Sequence, residues 1–386
     1  MSLISQVFGG FWGMLSVAVP FLFVLTVVVF IHELGHFLVA RWCGVRVQAF
    51  SIGFGREIFG FFDKHGTRWK LCWIPLGGYV KFMDDENAAS MPSRDALDRM
   101  TPEDRASSFH GKSLAQKSAI VAAGPIANFI LAVALFTGIF TIAGVLVTLP
   151  RVDEVVADSP AAQAGFRAGD LILSIDGTAI ESFSDMQRIA STSAEQLLTF
   201  VVDRAGKEVT LKATPKLSEV PDGFGGKIRV GLLGIKRAAV PTDWQYKRYG
   251  PLDAVVLAVK ESYFVVERNL VYLRDVITRK ESADQLGGPI RIADVSGKVA
   301  SAGIVPLLHL TAVISVSIGL LNLFPIPMLD GGHLLFYGIE AIRRKPLSER
   351  TQEIGFKIGI AFVLMLMVFA TWNDLGIVKR WLGGIG

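Results

Sequence analysis

The sequence predicts a multi-pass α-helical membrane protein of about four transmembrane helices. An extracytoplasmic α+β domain is inserted between the second and third spans, and a membrane-associated β-hairpin region follows the first. Three observations carry this. Hydrophobic residues make up 51% of the chain and charged residues 19%, against about 25% charged in soluble globular proteins; the mean hydropathy is +0.45. Four apolar runs are long enough to cross a bilayer at roughly 20 residues each, which explains the depletion of charge better than an outsized core does. Charge, alternation and turn residues return in one block, residues 150–236. The net charge of +4 is too small to argue for a nucleic-acid partner.

Residues 1–149 are read as an N-terminal membrane part. Its first span, about 11–40, opens with a run to Ile31 that holds no charge. The N-terminus lacks the positive stretch and the small-residue cleavage site of a signal peptide, so this run should stay as a span. Residues 41–118 are rich in Lys and Arg and are expected on the cytoplasmic side. Cys43 and Cys72 lie in this segment, where a structural disulfide is not expected. Within it, residues 46–83 alternate apolar residues with glycines and turns. They are read as short β-hairpins, which can dip toward the lipid only where they pack on protein or line a cavity. The second span, about 119–149, carries Gly124-Pro125-Ile126-Ala127-Asn128, where small residues permit close helix approach. Asn128 is either interhelical glue or a contact to an extended substrate backbone.

Residues 150–236 read as strand, short helix (159–165), strand (168–177), helix (183–190, with Ser184 as cap) and a hairpin of 198–203 with 208–213. Ser159-Pro-Ala-Ala-Gln-Ala-Gly165 and Ala168-Gly-Asp-Leu-Ile-Leu-Ser-Ile-Asp-Gly177, with the helix after them, resemble a PDZ domain in circularly permuted order. PDZ domains add an extended peptide at a sheet edge, so a peptide terminus is an expected partner. Gly231-Leu-Leu-Gly-Ile235 is either the loop that would receive it or a plain edge strand. Residues 237–303 form an amphipathic extracytoplasmic linker, with a helix over 250–280 too charged to cross a membrane.

Residues 304–386 form a C-terminal membrane part with spans at about 304–324 and 354–372. Pro325-Ile-Pro327 interrupts the first of these, and Met328-Leu-Asp-Gly-Gly-His333 follows. Asp330 is therefore a carboxylate on irregular backbone at the bilayer edge, unless it merely caps the following helix.

The chemistry centres on His32-Glu33-Leu34-Gly35-His36. Residues i and i+4 of a helix share a face, so both imidazoles can grip one metal ion, with Glu33 in reach of a water at the open position. Ionisable groups inside a membrane span are costly unless paired or metal-bound, which favours function over accident. A hydrolytic zinc site takes three protein ligands and water. Under the predicted topology Asp330 reaches the depth of the two histidines; His333 is the competing third ligand or a supporting group behind the site.

His32 to His36, Gly124 to Asn128, and Asn322-Leu-Phe-Pro-Ile-Pro-Met-Leu-Asp-Gly-Gly332 together resemble the three membrane signatures of the site-2 protease family of intramembrane zinc metalloproteases. With the PDZ-like insertion, the chain is most similar to the bacterial regulator-of-sigma-E protease type. It departs from that type in having one PDZ-like unit where the best-known members carry two. The resemblance implies Zn2+ held by His32, His36 and Asp330, Glu33 as catalytic base, and substrate contact by Asn322 and by Asn128. It also implies regulated intramembrane proteolysis of single-pass, anti-sigma-factor-like proteins in the bacterial inner membrane, downstream of a site-1-type protease. The alternative is a catalytically silent membrane scaffold presenting a PDZ domain.

Overall fold

The computed structural model describes residues 3–83, 100–221, 227–237, 245–278, 283 and 287–383. Parts of the expected 237–303 linker, residues 238–244 and most of 279–286, lie outside them. The chain forms two compact units. One comprises Met1–Thr137, Val255–Val266 and Leu286–Gly386; the other comprises Gly138–Ala254 and Glu267–Gln285.

The first unit begins with α1 (Leu3–Trp42), whose residues 12–42 are apolar and long enough to span a bilayer. A single bent hairpin follows, β1 (Val47–Phe62) and β2 (Arg68–Phe82), where the sequence suggests several short ones. Residues 49–52 of β1 each pair twice, with 68–71 and with 78–81. The hairpin packs on α1 through aromatic contacts: Phe50 meets Phe30 and Phe37 edge-on, and Trp69 lies against both Phe37 and Phe50. Its turn is tied to the end of α1 by Arg41, which donates to Asp63 Oδ2 at 3.0 Å. Elsewhere the hairpin leaves Phe59, Phe61, Phe62 and Trp73 exposed, although Phe61 also stacks on Trp69 and Arg68 lies over Phe62.

After the short α2 (Pro102–Ser107), α3 (Leu114–Gly138) runs through Pro125 and passes into a π-helical turn at Ile139–Ala143. The expected second span thus ends early: at 145–147 the backbone is already strand. Gly144, at φ 81°, lets the chain leave the helix. The C-terminal part of the unit contains α8 (Ile304–Leu323), α9 (Asp330–Arg343) and α10 (Glu349–Gly383), the first and last of bilayer-crossing length. It also holds α7 (Pro289–Ser301), which the sequence reading missed. The buried Asp374 of α10 accepts from Gly288 N–H and Arg291 N–H, capping α7 from another helix.

The second unit opens with β3 (Val145–Val147), which pairs with β12 (Gln245–Lys247). Between them lie β4 (Glu154–Val155), α4 (Pro160–Ala164), β5 (Leu171–Ile175), β6 (Thr178–Ala179), α5 (Phe183–Thr192), β7 (Leu198–Arg204), β8 (Lys207–Ala213), β9 (Lys216–Pro221), β10 (Lys227–Leu232) and β11 (Ile235–Lys236). The main sheet has the order β6-β5-β7-β8. Its buried residues, among them Ile172, Ile175, Phe200 and Val202, close one core with Val152, Phe166, Met186 and Leu233. The cap of α5 is Ser182, not Ser184. Ser182 accepts from Asp185 N–H and Asp185 accepts from Ser182 N–H, a reciprocal capping box that starts the helix at Phe183. The Gly231–Ile235 loop is bound internally: Leu233 O accepts from Ala161 N–H, Gly234 O from Val156 N–H, and Ile235 pairs with Val155. α6 (Pro251–Ile277) is the amphipathic helix expected near 250–280.

Asp170, fully buried, accepts two hydrogen bonds from Arg204, at 2.7 Å each. Burial alone would push its carboxyl up. The Arg204 hydrogen bonds, the Arg167 backbone N–H and both guanidinium charges outweigh that and hold the group below its ordinary range. Its unfolded value is about 3.9, so the pair's stabilisation is complete above that pH and is lost as pH falls from there through the folded value. Asp170→Asn should cost about 3 kcal/mol at pH 7, as breaking a buried pair does, with the difference from wild type vanishing in acid. Urea titrations of the full chain in detergent, read by hydrogen exchange into β7 and corrected for intrinsic rates, measure both.

Candidate metal centre

His32 and His36 sit one turn apart on α1, and their rings meet edge-on with centroids 4.9 Å apart. Their Nε2 atoms are 3.3 Å apart. Asp330, the first residue of α9, brings Oδ2 to 3.1 Å from His32 Nε2 and Oδ1 to 3.5 Å from His36 Nε2. The three side chains are only 12%, 14% and 17% exposed. Ligand atoms about 2.0–2.1 Å from a tetrahedral zinc ion stand roughly 3.3 Å apart, and the separations between the two imidazole nitrogens and the carboxylate oxygens are of that size. Asp330 Oδ2 is buried without a hydrogen bond among the described residues, which a carboxylate tolerates when a cation completes it. The residues fit zinc.

Asp330 arrives there because the chain reverses sharply after α8. Pro325 and Pro327 end the helix, and Met328 takes φ 90°. Gly331 and Gly332 fold the first turn of α9 back onto that reversal. A Cβ on Gly331 would strike the Leu323 and Phe324 carbonyls, and one on Gly332 would strike Ile326 and Pro327. Asp330 is therefore held in a helical first turn rather than on irregular backbone, and the irregular stretch lies just before it.

Behind the histidines stands one face of α3. Ile120, Gly124 and Asn128, four residues apart, line it. His36 Nδ1 is 2.8 Å from Ile120 O; since a carbonyl only accepts, Nδ1 carries the proton and Nε2 is left free for a metal. Gly124 faces both imidazoles: a Cβ there would collide with His36 Nε2 and come within 2.9 Å of His32 Cε1. Asn128, fully buried, has Nδ2 at 3.2 Å from His32 Nδ1. Gly35 of the motif performs the reciprocal task, since a Cβ there would strike Ala123 O and Ala127 Cβ.

Glu33 lies under the hairpin. The Val80 backbone N–H faces its carboxylate, and a Cβ on Gly78 would sit 3.1 Å from Glu33 Cγ. Asn322, half-buried in the last turn of α8, lies outside the metal cluster, and its side chain makes no hydrogen bond to the described residues. His333 does not join the three clustered ligand atoms; its ring lies 5.2 Å from that of Phe356 and 6.4 Å from that of Tyr337. The sequence reading anticipated close helix approach at Gly124 to Asn128, but neither the Ile120 carbonyl, which any residue type would supply, nor that Gly124 faces the two imidazoles. The i, i+4, i+8 spacing of 120, 124 and 128 was the available signal for the second.

The chain is similar to known proteins over most of its length. The family model of Peptidase family M50 matches residues 20–366. A protein of Mesorhizobium japonicum described as a "putative zinc metalloprotease" is 50% identical over 362 residues, covering 94% of this chain and 99% of that one. The metalloprotease MmpA of Caulobacter vibrioides is 41% identical over 397 residues, covering 97% and 99%. Among solved structures, the PDZ domain of an SdrC-like protein from Listeria monocytogenes matches 22% of this chain and 82% of that one. It is 26% identical with a TM-score of 0.18, too low to carry an argument.

Gly124→Ala should push the imidazoles apart and weaken zinc binding tenfold or more, the scale on which displaced metal-site support acts. Gly138→Ala on the same helix, where a Cβ meets nothing within 4 Å, should bind like wild type. Chelator competition on the purified proteins compares them.

Proposed function

The chain belongs to peptidase family M50 and is a membrane zinc metalloprotease; on that premise we propose that it cleaves the membrane-spanning segments of single-pass proteins. The observation that carries this is the place of His32, Glu33 and His36, within the bilayer-crossing residues 12–42 of α1. A protease whose base and histidines sit on a spanning helix meets substrate in or at the lipid.

In this reading His32, His36 and Asp330 hold zinc and Glu33 is the base. Bound zinc supplies a Lewis acid that makes water acidic near neutral pH. Glu33 takes the proton from the attacking water and returns it to the leaving amine. Asn322, with its unengaged amide, is positioned to hold substrate. A transmembrane helix hides its peptide bonds, so the substrate must unwind first. Residues 78–82 of β2 pair with β1 on one side only among the described residues, and Val80 reaches Glu33. Strand addition along that edge would bring an unwound segment to the base. The apolar hairpin surface supports its contact with lipid.

Basic segments after α1 and around Arg343, Arg344 and Lys345 favour a cytoplasmic position for the metal centre in a bacterial inner membrane, with the PDZ-like domain on the extracytoplasmic side. The substrates in this reading are anti-sigma-factor-like proteins already shortened by a site-1-type protease. The PDZ-like domain acts either as a receptor for a new terminus or as a filter against bulky external domains. A silent scaffold would have no use for Glu33 beside the three clustered ligands.

Glu33→Gln should keep zinc and reduce cleavage of a test transmembrane substrate by about 10²- to 10⁴-fold; equal cleavage by both proteins would sink the protease reading. Deleting residues 152–236 separates the two roles of the inserted domain. Loss of a filter admits uncut substrates, whereas loss of a receptor lowers cleavage of all of them, as gel assays of cut and uncut substrates would report.

A further inference from the structure

Asn128 is the second polar contact behind the metal site, and its geometry poses a choice. Its Nδ2 is 3.2 Å from His32 Nδ1, while its Oδ1 is buried without a hydrogen bond among the described residues. If Nδ2 donated to Nδ1, the His32 proton would sit on Nε2, the atom that faces His36 and Asp330. An Nε2 that carries a proton has no lone pair for a metal. The two ends of an amide are nearly the same shape, and their assignment follows from hydrogen bonding. Turning the amide over places Oδ1 against Nδ1, where it accepts the proton that metal binding through Nε2 requires. Where it stands, the carbonyl oxygen has no donor among the described residues, and the turn gives it one.

Two neighbours support the same conclusion. His36, one turn along, is already held in the matching state by the Ile120 carbonyl on the same face of α3. The backbone of Asn128 is pinned, since Ser315 of α8 donates its hydroxyl to Asn128 O at 2.9 Å. Gly319 also leaves room for the residue, because a Cβ there would lie 3.2 Å from Asn128 Cβ.

We infer that Asn128 is a positioning residue: its side-chain carbonyl accepts from His32 Nδ1–H and so fixes the ring state in which His32 binds zinc. Its complete burial fits this role better than the direct substrate contact that family resemblance suggests. The inference rests on the zinc site of the preceding section, yet it is read by metal binding rather than by proteolysis.

The test compares two near-isosteric variants of the full chain in detergent. Asn128→Asp keeps an acceptor and removes the donor; Asn128→Leu keeps the bulk and removes both. Zinc affinity by chelator competition should fall 10- to 100-fold in the Leu variant and stay within about threefold of wild type in the Asp variant. A packing role predicts that Leu is tolerated, and a donor role predicts that Asp fails as badly as Leu; either result overturns the inference. Because Glu33→Gln is scored by cleavage with zinc retained, failure here leaves the protease reading standing, and failure there leaves this one standing.

Discussion

The site depends on one close approach, that of α1 to α3. Two imidazoles stacked one turn apart need a wall behind them that touches both rings and still leaves their outer nitrogens converging. Gly35 and Gly124 make this possible from opposite sides: the first lets the backbones meet, and the second receives the rings. With that separation set, the Ile120 carbonyl and the Asn128 amide fall within hydrogen-bond reach of the two inner nitrogens. A wider gap would leave both rings free to rotate and a buried amide unpaired, a cost of about 1–3 kcal/mol for each polar group stranded. Packing and metal chemistry are therefore one constraint here, not two.

The third corner of the site is built by a different device. Nothing regular can end inside a bilayer without stranding backbone polar groups, and α8 ends beside Pro325 and Pro327. The chain satisfies the reversal locally, through Leu329 N–H to Ile326 O and Gly332 N–H to Leu329 O, and then restarts as a helix at Asp330. Gly359 of α10 closes against Pro327, where any side chain would strike the carbonyl. The last helix thus braces the turn that aims the carboxylate.

Much of this was legible in the sequence, and for a physical reason. Bilayer crossing demands long uncharged runs, so α1 and α8 declare themselves by composition, and the i, i+4 spacing of His32 and His36 follows from helix geometry alone. Asp330 was legible because a carboxylate after two prolines in an apolar run has few structural excuses. What stayed hidden was set by partners distant in the chain. The early end of α3 follows from the pairing of Val145 to Val147 with Gln245 to Lys247, which no local pattern announces. The cap at Ser182 needed the reciprocal bond with Asp185, although its spacing was in plain view. α7 carries too few apolar residues to stand out, and its start is secured by Asp374 from far downstream.

If the substrate is a membrane-spanning segment, as proposed, the centre must first gain access to a peptide bond. A spanning helix satisfies its own backbone, and freeing one peptide group in hydrocarbon costs several kcal/mol. Heat does not supply that at useful frequency; replacement hydrogen bonds do. Among the described residues, the hairpin is the element of this unit with strand backbone to offer, and its last stretch runs beside the base, with Val80 N–H facing Glu33 and Gly78 against its stem. Gly78 can have no side chain, since a Cβ would strike Ser51 O, so the strand keeps a low profile where the proposed substrate backbone would come near. The anchoring of that strand is itself aromatic packing on the metal-bearing helix. A substrate unwound along it would arrive in a register fixed relative to His32 and His36, because Phe30 and Phe37 hold the same strand pair that Glu33 touches.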